Sequence, residues 1–338
     1  VLFLFDEEGT PEMRQRLMTS AQSLLGRIWK KVMALRLEEL LALLFLLPSF
    51  AITIRANLYF HSAGLNVPRK FSGGITRLWI TALLMAAFFY FVKKKPLWKY
   101  TYWIRDVTPF LFCIAIYTNL HDTIGFVNPF DIHDQLIAID QAMFGVQPCV
   151  WAQQFYHPLL TDYFSVNYMN YFLISVAVVV YLLVRKRDTE MRMVLLGTIL
   201  CFYMGYFLYI LFPAAPPRLT LAGQFNGGIA GGWFTIAQNN IININPSSSR
   251  AAFPSLHCAV TLISIMYSWR YNKKLFWSLL IPGVSLVLAT VYLRHHYVID
   301  ILAGFALAIL SFYISPTVDR LWKRLKSKNS INYKIDNG

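Results

Sequence analysis

Acidic side chains are scarce in this chain: 17 aspartates and glutamates stand against 31 lysines and arginines, and charged residues of both signs make up only 14%. Soluble domains carry about a quarter of charged residues, so this shortage, with 57% hydrophobic residues, excludes an ordinary soluble domain. Cysteine is sparser still, with four residues. Cys113, Cys201 and Cys258 lie in or beside apolar runs and only Cys149 in a long connection, which leaves no disulfide framework and no zinc-ligand spacing. Internal repeats and a second soluble domain are also missing. The chain opens Val1-Leu2-Phe3 without a methionine, as a truncated or processed chain does, and shows no cleavable signal pattern.

What the chain has instead is a series of apolar runs, at about 38–58, 76–92, 106–121, 166–184, 193–212, 257–269, 275–292 and 298–316. Each approaches or reaches the roughly 17 to 25 residues that cross a bilayer. The expected fold is therefore all-α, a polytopic helical membrane protein of about eight spans. The net charge of +14 is spread in short clusters between the runs, which reads as orientation signals and anionic-lipid contacts rather than a nucleic-acid surface. Lys30 and Lys31, Lys93 to Lys95, Arg185 to Arg187, Arg270 with Lys273 and Lys274, and Arg320 to Lys328 fall on alternate connections. Eight spans put all of them on one side, cytoplasmic by the positive-inside tendency, with both termini.

Four regions follow. Residues 1–37 form an amphipathic membrane-surface helix, in which Leu17, Leu24, Leu25, Ile28, Val32 and Leu35 recur at helical spacing over 11–36 among basic residues. Residues 38–184 form an N-terminal transmembrane region, 185–319 a transmembrane core and 320–338 a basic cytoplasmic tail, loose after Lys328. Within the second region, His121 to Asp162 is of mixed character and reads as interfacial helices, either a roof over a site or simple packing. Leu221 to Asn245, rich in glycine and asparagine, lacks the glycine spacing of a nucleotide fingerprint and reads as a pliable loop.

Two short segments carry the chemistry. Arg294-His295-His296-Tyr297-Val298-Ile299-Asp300 lies between two apolar runs; on a helix, His296 and Asp300, four apart, share a face. The carboxylate can then hold one imidazole nitrogen and leave the other to react. Taken alone, the segment also fits an ion pair capping a membrane helix. Ala251-Ala252-Phe253-Pro254-Ser255-Leu256-His257 changes the weighing, because the orientation above puts His257 and His296 at the same, exoplasmic, membrane surface. Phosphoryl transfer needs a nucleophile, an acid for the leaving oxygen and cations around the phosphate. His296 with Asp300 suits the first, His257 the second, and Arg218, Arg250 and Arg294 the third. His295 and Ser255 are further candidates for substrate binding.

Pro254-Ser255-Leu256-His257 and His296-Tyr297-Val298-Ile299-Asp300 resemble the second and third signature motifs of the type 2 phosphatidic acid phosphatase superfamily. Phe253, His295 and Ala215-Pro216-Pro217 look more particularly like its inositol phosphorylceramide synthase branch. The resemblance runs from about Phe212 to Gly304, with weaker support from Asp140 to Gly145. It implies a superfamily core bundle, His296 as nucleophile, Asp300 orienting it, His257 as acid, and no cofactor or metal. The implied partners are a phospholipid donor and a lipid acceptor in the membrane, with no nucleic acid. The superfamily's first motif, a lysine with Arg-Pro six residues on, is absent, and Ala289-Thr290 stands where the third motif usually has Ser-Arg.

The leading expectation is a phosphotransferase that moves an inositol phosphate-like headgroup onto a lipid hydroxyl such as that of ceramide. A lipid phosphate or polyprenyl pyrophosphate phosphatase uses the same residues with water as acceptor. A transporter or scaffold is the non-enzymatic alternative, though such proteins tend to keep polar sites near the midplane between repeated halves. A bacterial inner membrane with a periplasmic site is preferred to a Golgi membrane with a luminal one. Chelators are expected to leave activity intact; a loss that zinc restores would point instead to a metal cluster of His257, His295, His296 and Asp300.

Overall fold

The computed structural model describes residues 26–66, 69–94, 101–244 and 250–335, so most of the expected surface helix over 11–36 lies outside the described residues. Contacts divide the chain into two units, Val1–Leu41 with Val318–Gly338, and Ala42–Thr317. In the first, residues 26–34 are helical, and Trp322 and Lys326 both donate to the Leu35 carbonyl. The second holds the candidate site.

The fold is all-α. Among the described residues there is no strand, only an isolated parallel bridge between Ala214 and Ala251. Each of the eight apolar runs is helical, because a chain without water must satisfy its backbone groups within the segment. Among the described residues, five helices are long and apolar enough to span a bilayer: Leu37–Ser62, Gly73–Lys94, Asp188–Leu211, Lys273–Tyr292 and Val298–Lys328. A sixth is added if Pro158–Met169 and Leu173–Val184, bent about Asn170, count as one span. The run at 257–269 forms Leu256–Tyr271, at 16 residues short of that length. The last helix continues to Ile335, past the point where a loose tail was expected.

Asp188–Leu211 is the axis of the second unit: 72% of its apolar window is buried, against 22 to 44% for the other four spans. It packs against Thr101–Val127 on one side and Leu256–Tyr271 on the other, and Leu256–Tyr271 in turn contacts Tyr171–Val184 and Lys273–Tyr292. Asn272 makes that last pairing tight, as its side chain accepts from the Leu275 N–H at 2.9 Å and caps the next helix after a one-residue break.

The region His121 to Asp162 does form short helices, His133–Phe144, Pro148–Trp151 and the start of Pro158–Met169, with a 3-10 turn between. The expected loop at Leu221 to Asn245 is loop only in its first half, since Trp233–Ile244 is an α-helix. The reason is tertiary. Asp162, from another helix, accepts from the N–H groups of Gly232 at 2.9 Å and Thr235 at 3.0 Å, capping a helix start that its own sequence leaves uncapped.

Two glycines let the bundle close on the turn that carries His257. A Cβ at Gly205 would stand 2.4 Å from the Leu256 side chain, and one at Gly304 would stand 2.4 Å from the Ser255 carbonyl oxygen. The second obstacle is backbone and cannot swing away. Gly304→Ala is therefore expected to destabilise the fold by about 1–3 kcal/mol, read as a lower thermal midpoint in detergent; an unchanged midpoint would refute the close approach.

Candidate active site

The site is built where the last helix begins. Every helix leaves its first N–H groups without an intrahelical partner, and here they lie at buried or half-buried residues. Asp300 Oδ2 accepts from the Tyr297 N–H at 3.0 Å, while Asp140 accepts from Val298 at 2.8 Å and Ile299 at 3.0 Å. Both carboxylates also lie at the positive end of the helix dipole. Asp140 reaches this point from helix His133–Phe144, and burial raises its pKa while the two N–H bonds oppose the shift. Ser255 donates its N–H to the Asp300 carbonyl at 2.9 Å, which ties the His257 segment to the same helix start.

The turn before the helix is equally constrained. The N–H groups of His295 and His296 both donate to the Thr290 carbonyl, at 2.9 and 3.0 Å. Arg294 takes a left-handed backbone, φ 62°, at a cost of about 1–2 kcal/mol for a residue with a Cβ. Its carbonyl accepts from the Arg218 N–H at 3.0 Å, drawing in the Pro217–Thr220 helix.

These contacts assemble the histidines. His296 Nδ1 lies 3.3 Å from Asp300 Oδ2. The His257 ring stands 5.8 Å from the His296 ring between centroids. Tyr168 is stacked against His257 at 4.5 Å and His295 at 4.4 Å, and the Tyr171 ring meets His257 at 4.4 Å, tilted against it. Asp300 Oδ1 is buried and has no hydrogen-bond partner among the described residues.

The cations divide. Arg218 Nη1 lies 2.8 Å from His295 Nδ1, and its charge acts on His296 as well. Arg294 lies over Phe225 at 3.8 Å and donates to the Tyr156 hydroxyl at 2.8 Å and the Gly227 carbonyl at 2.9 Å. Arg250 is held by Asp131, Nη2 to Oδ2 at 2.7 Å, and by the Pro129 carbonyl, so it is paired with a carboxylate rather than held open for phosphate. Ser255 is fully buried, and its hydroxyl accepts from the Cys258 N–H at 3.4 Å as a helix cap. Asp140, Tyr168, Tyr171 and Gln238 complete the site and were not singled out for it from sequence. The tyrosines sit in or beside an apolar run, where nothing in composition separates a site wall from packing.

The family model described as the PAP2 superfamily matches residues 134–314, a stretch that contains all the contacts of the histidine cluster. The chain belongs to the PAP2 superfamily. A PA-phosphatase related-family protein of Dictyostelium discoideum is 25% identical over 125 residues, which cover 36% of this chain and 23% of that protein. The phosphoinositol dihydroceramide synthase of Bacteroides thetaiotaomicron is 26% identical over 212 residues, 55% of this chain and 67% of that protein. The chain thus spans less than a quarter of the first relative's length and about two thirds of the second's. No solved structure matches it. The family implies phosphatase or phosphotransferase chemistry, and the second relative supports the inositol phosphorylceramide synthase-like branch.

Burial pushes the His296 imidazole down to about 3; a hydrogen bond with the Ala252 backbone pulls it back in part, and the Arg218 charge adds to the lowering. A nucleophilic imidazole works in its neutral form, which persists above the pKa. Depression therefore moves the acid limb of activity to lower pH. The acid limb of kcat/KM, which reports the free enzyme, is expected well below the ordinary histidine value of about 6.5. A limb centred at or above that value, with chemistry limiting, would show that burial does not hold His296 neutral.

Proposed function

We propose that the protein is a membrane lipid phosphotransferase that moves a phosphorylated, inositol phosphate-like headgroup from a phospholipid to a lipid hydroxyl such as that of ceramide. The observation that carries this reading is the placement of His296 and His257, 5.8 Å apart between ring centroids, with Asp300 at 3.3 Å behind His296. Asp300 holds Nδ1–H and leaves Nε2 of His296 to attack phosphorus. The bond from phosphorus to the diacylglycerol oxygen breaks, and His257 gives that oxygen a proton. The product is a phosphohistidine carrying the headgroup. His257, now neutral, takes the proton of the acceptor hydroxyl, whose oxygen attacks phosphorus and releases His296. Arg218 and Arg294 offset charge on the phosphoryl oxygens.

In the same reading the site faces the exoplasmic side, with basic connections and both termini on the cytoplasmic side. Residues 1–37 lie on the membrane surface, 38–184 form the N-terminal region, 185–319 the catalytic core and 320–338 a cytoplasmic tail. Asp140 and Tyr168 cross from the second part into the site. The transferase reading is preferred to hydrolysis because the Bacteroides relative, matched over the larger share of this chain, is named as a synthase. Water as acceptor would use the same first half-reaction and turn the protein into a lipid phosphatase, as the name of the Dictyostelium relative suggests for that protein.

The test is incubation of the purified protein with a headgroup-labelled phospholipid, with and without ceramide or diacylglycerol, following label and free phosphate. Label is expected on a new lipid only when acceptor is present. Phosphate freed from a lipid phosphate without acceptor would replace transfer by hydrolysis. His296→Ala is expected to lower turnover by about a thousandfold or more while the protein still folds, and normal turnover in that variant would sink the mechanism.

A further inference from the structure

The helix that carries His257 has a second end. Leu256–Tyr271 leaves the candidate site at His257 and reaches Arg270 about 20 Å further on, at ~1.5 Å of rise per residue. Its neighbour Lys273–Tyr292 has 20 residues. That is about 30 Å of helix, close to the ~30 Å thickness of a hydrocarbon core. Tyr292 stands beside the site, where its carbonyl accepts from the Tyr156 hydroxyl at 3.0 Å, and Lys273 lies at the far end.

A groove of about 560 Å³ opens there, within the roughly 300–1,000 Å³ of small-molecule sites. Leu262, Ile265, Met266 and Trp269 line it from one face of their helix, as spacings of three and four require. Phe276 joins them from the next helix, and Phe312 and Tyr313 from the last. Tyr267 pins the last helix in place, with its ring 4.8 Å from that of Phe312 and its hydroxyl 3.0 Å from that of Ser315.

Two cations complete the lining, Arg270 and Lys273. Lys273 Nζ lies 2.8 Å from the centre of the Trp269 ring, and the Arg270 guanidinium stands over Phe312 at 5.9 Å and Tyr271 at 5.8 Å. Among the described residues neither side chain has a carboxylate partner. Glu190, whose charge acts on Tyr271, is bound by Arg187 at 3.0 Å. Asp319, two turns past Phe312, is bound by Lys323 at 2.7 Å. Trp269 and Tyr313 are exposed, at 49% and 68%, as aromatic rings at headgroup level are.

We propose that this groove binds an anionic phospholipid of the leaflet opposite the histidines. Its phosphate lies between Arg270 and Lys273, and the upper part of one acyl chain runs along Leu262, Met266 and Phe312. Charge complementarity chooses the occupant. A zwitterionic lipid would bring a third cation to the two already present. A soluble phosphate would use the cations and leave the apolar wall bare. The lipid is held rather than turned over, since among the described residues no histidine lines the groove. The site goes beyond the transferase reading and does not depend on it.

The test is native mass spectrometry of the purified full chain in a non-ionic detergent, titrated with phosphatidylglycerol and with phosphatidylcholine of the same chains. Phosphatidylglycerol is expected to bind at least about tenfold more tightly, since each basic side chain near anionic lipid contributes about fivefold. Arg270→Gln with Lys273→Gln is expected to abolish that preference. Lys274→Gln, which removes a neighbouring charge outside the groove lining, is expected to keep it. Lys273 is exposed, so Lys273→Gln alone, with an expected loss of about fivefold, decides the matter if the double variant does not fold. Equal affinity for the two lipids would overturn the assignment. So would a preference that Lys274→Gln lowers as much as Lys273→Gln, which would show bulk surface charge only. Displacement of the lipid by an equal concentration of glycerol phosphate would reduce the groove to a site for soluble phosphate and overturn it too. Binding is read without turnover, so label that never reaches an acceptor lipid remains a separate outcome.

Discussion

The buried start of the last helix is the constraint on which the site depends. Three backbone N–H groups there, of Tyr297, Val298 and Ile299, have no intrahelical partner, and leaving a buried donor unmade costs about 1–3 kcal/mol. Asp300 takes one and Asp140 takes two. The same Asp300 oxygen also faces His296 Nδ1, so the group that closes the helix end orients the imidazole. Asp140 does no chemistry in this scheme, but it ties His133–Phe144 to the helix that carries Asp300. That helix thereby becomes part of the candidate site.

Dryness shapes the rest. Tyr168 stacks on both His257 and His295, and Tyr171 packs against His257 as well. Excluding water in this way strengthens every charge that remains, since the local dielectric falls. Arg218 gains most from that, because its charge acts on His296 while its guanidinium is fixed on His295. Arg250 shows the opposite outcome. Bound to Asp131 and Pro129, it holds a wall together and has little left to offer phosphate.

Membership of the PAP2 superfamily and the histidine geometry point to the same reaction class. Attack on phosphorus is alike for every phosphodiester, so the residues that perform it say little about what the phosphate carries. Specificity falls to the groups that meet the remainder of the donor.

Much of this was legible in the sequence, and the reason is that membranes and helices impose periodic rules. Apolar length announced the helices, because an unsatisfied backbone cannot sit in hydrocarbon. A spacing of four placed His296 and Asp300 on one face, because that is the helical repeat. Only the tertiary structure could bring Asp140 to Val298, 158 residues away, or Asp162 to Gly232, 70 away, and with the latter turn a glycine-rich stretch into a capped helix. Only it could separate Arg218 from Arg250, which look alike as basic residues on one side of a membrane. Local sequence determines which residues share a turn, while the partner of a long-range hydrogen bond is decided by how the helices pack.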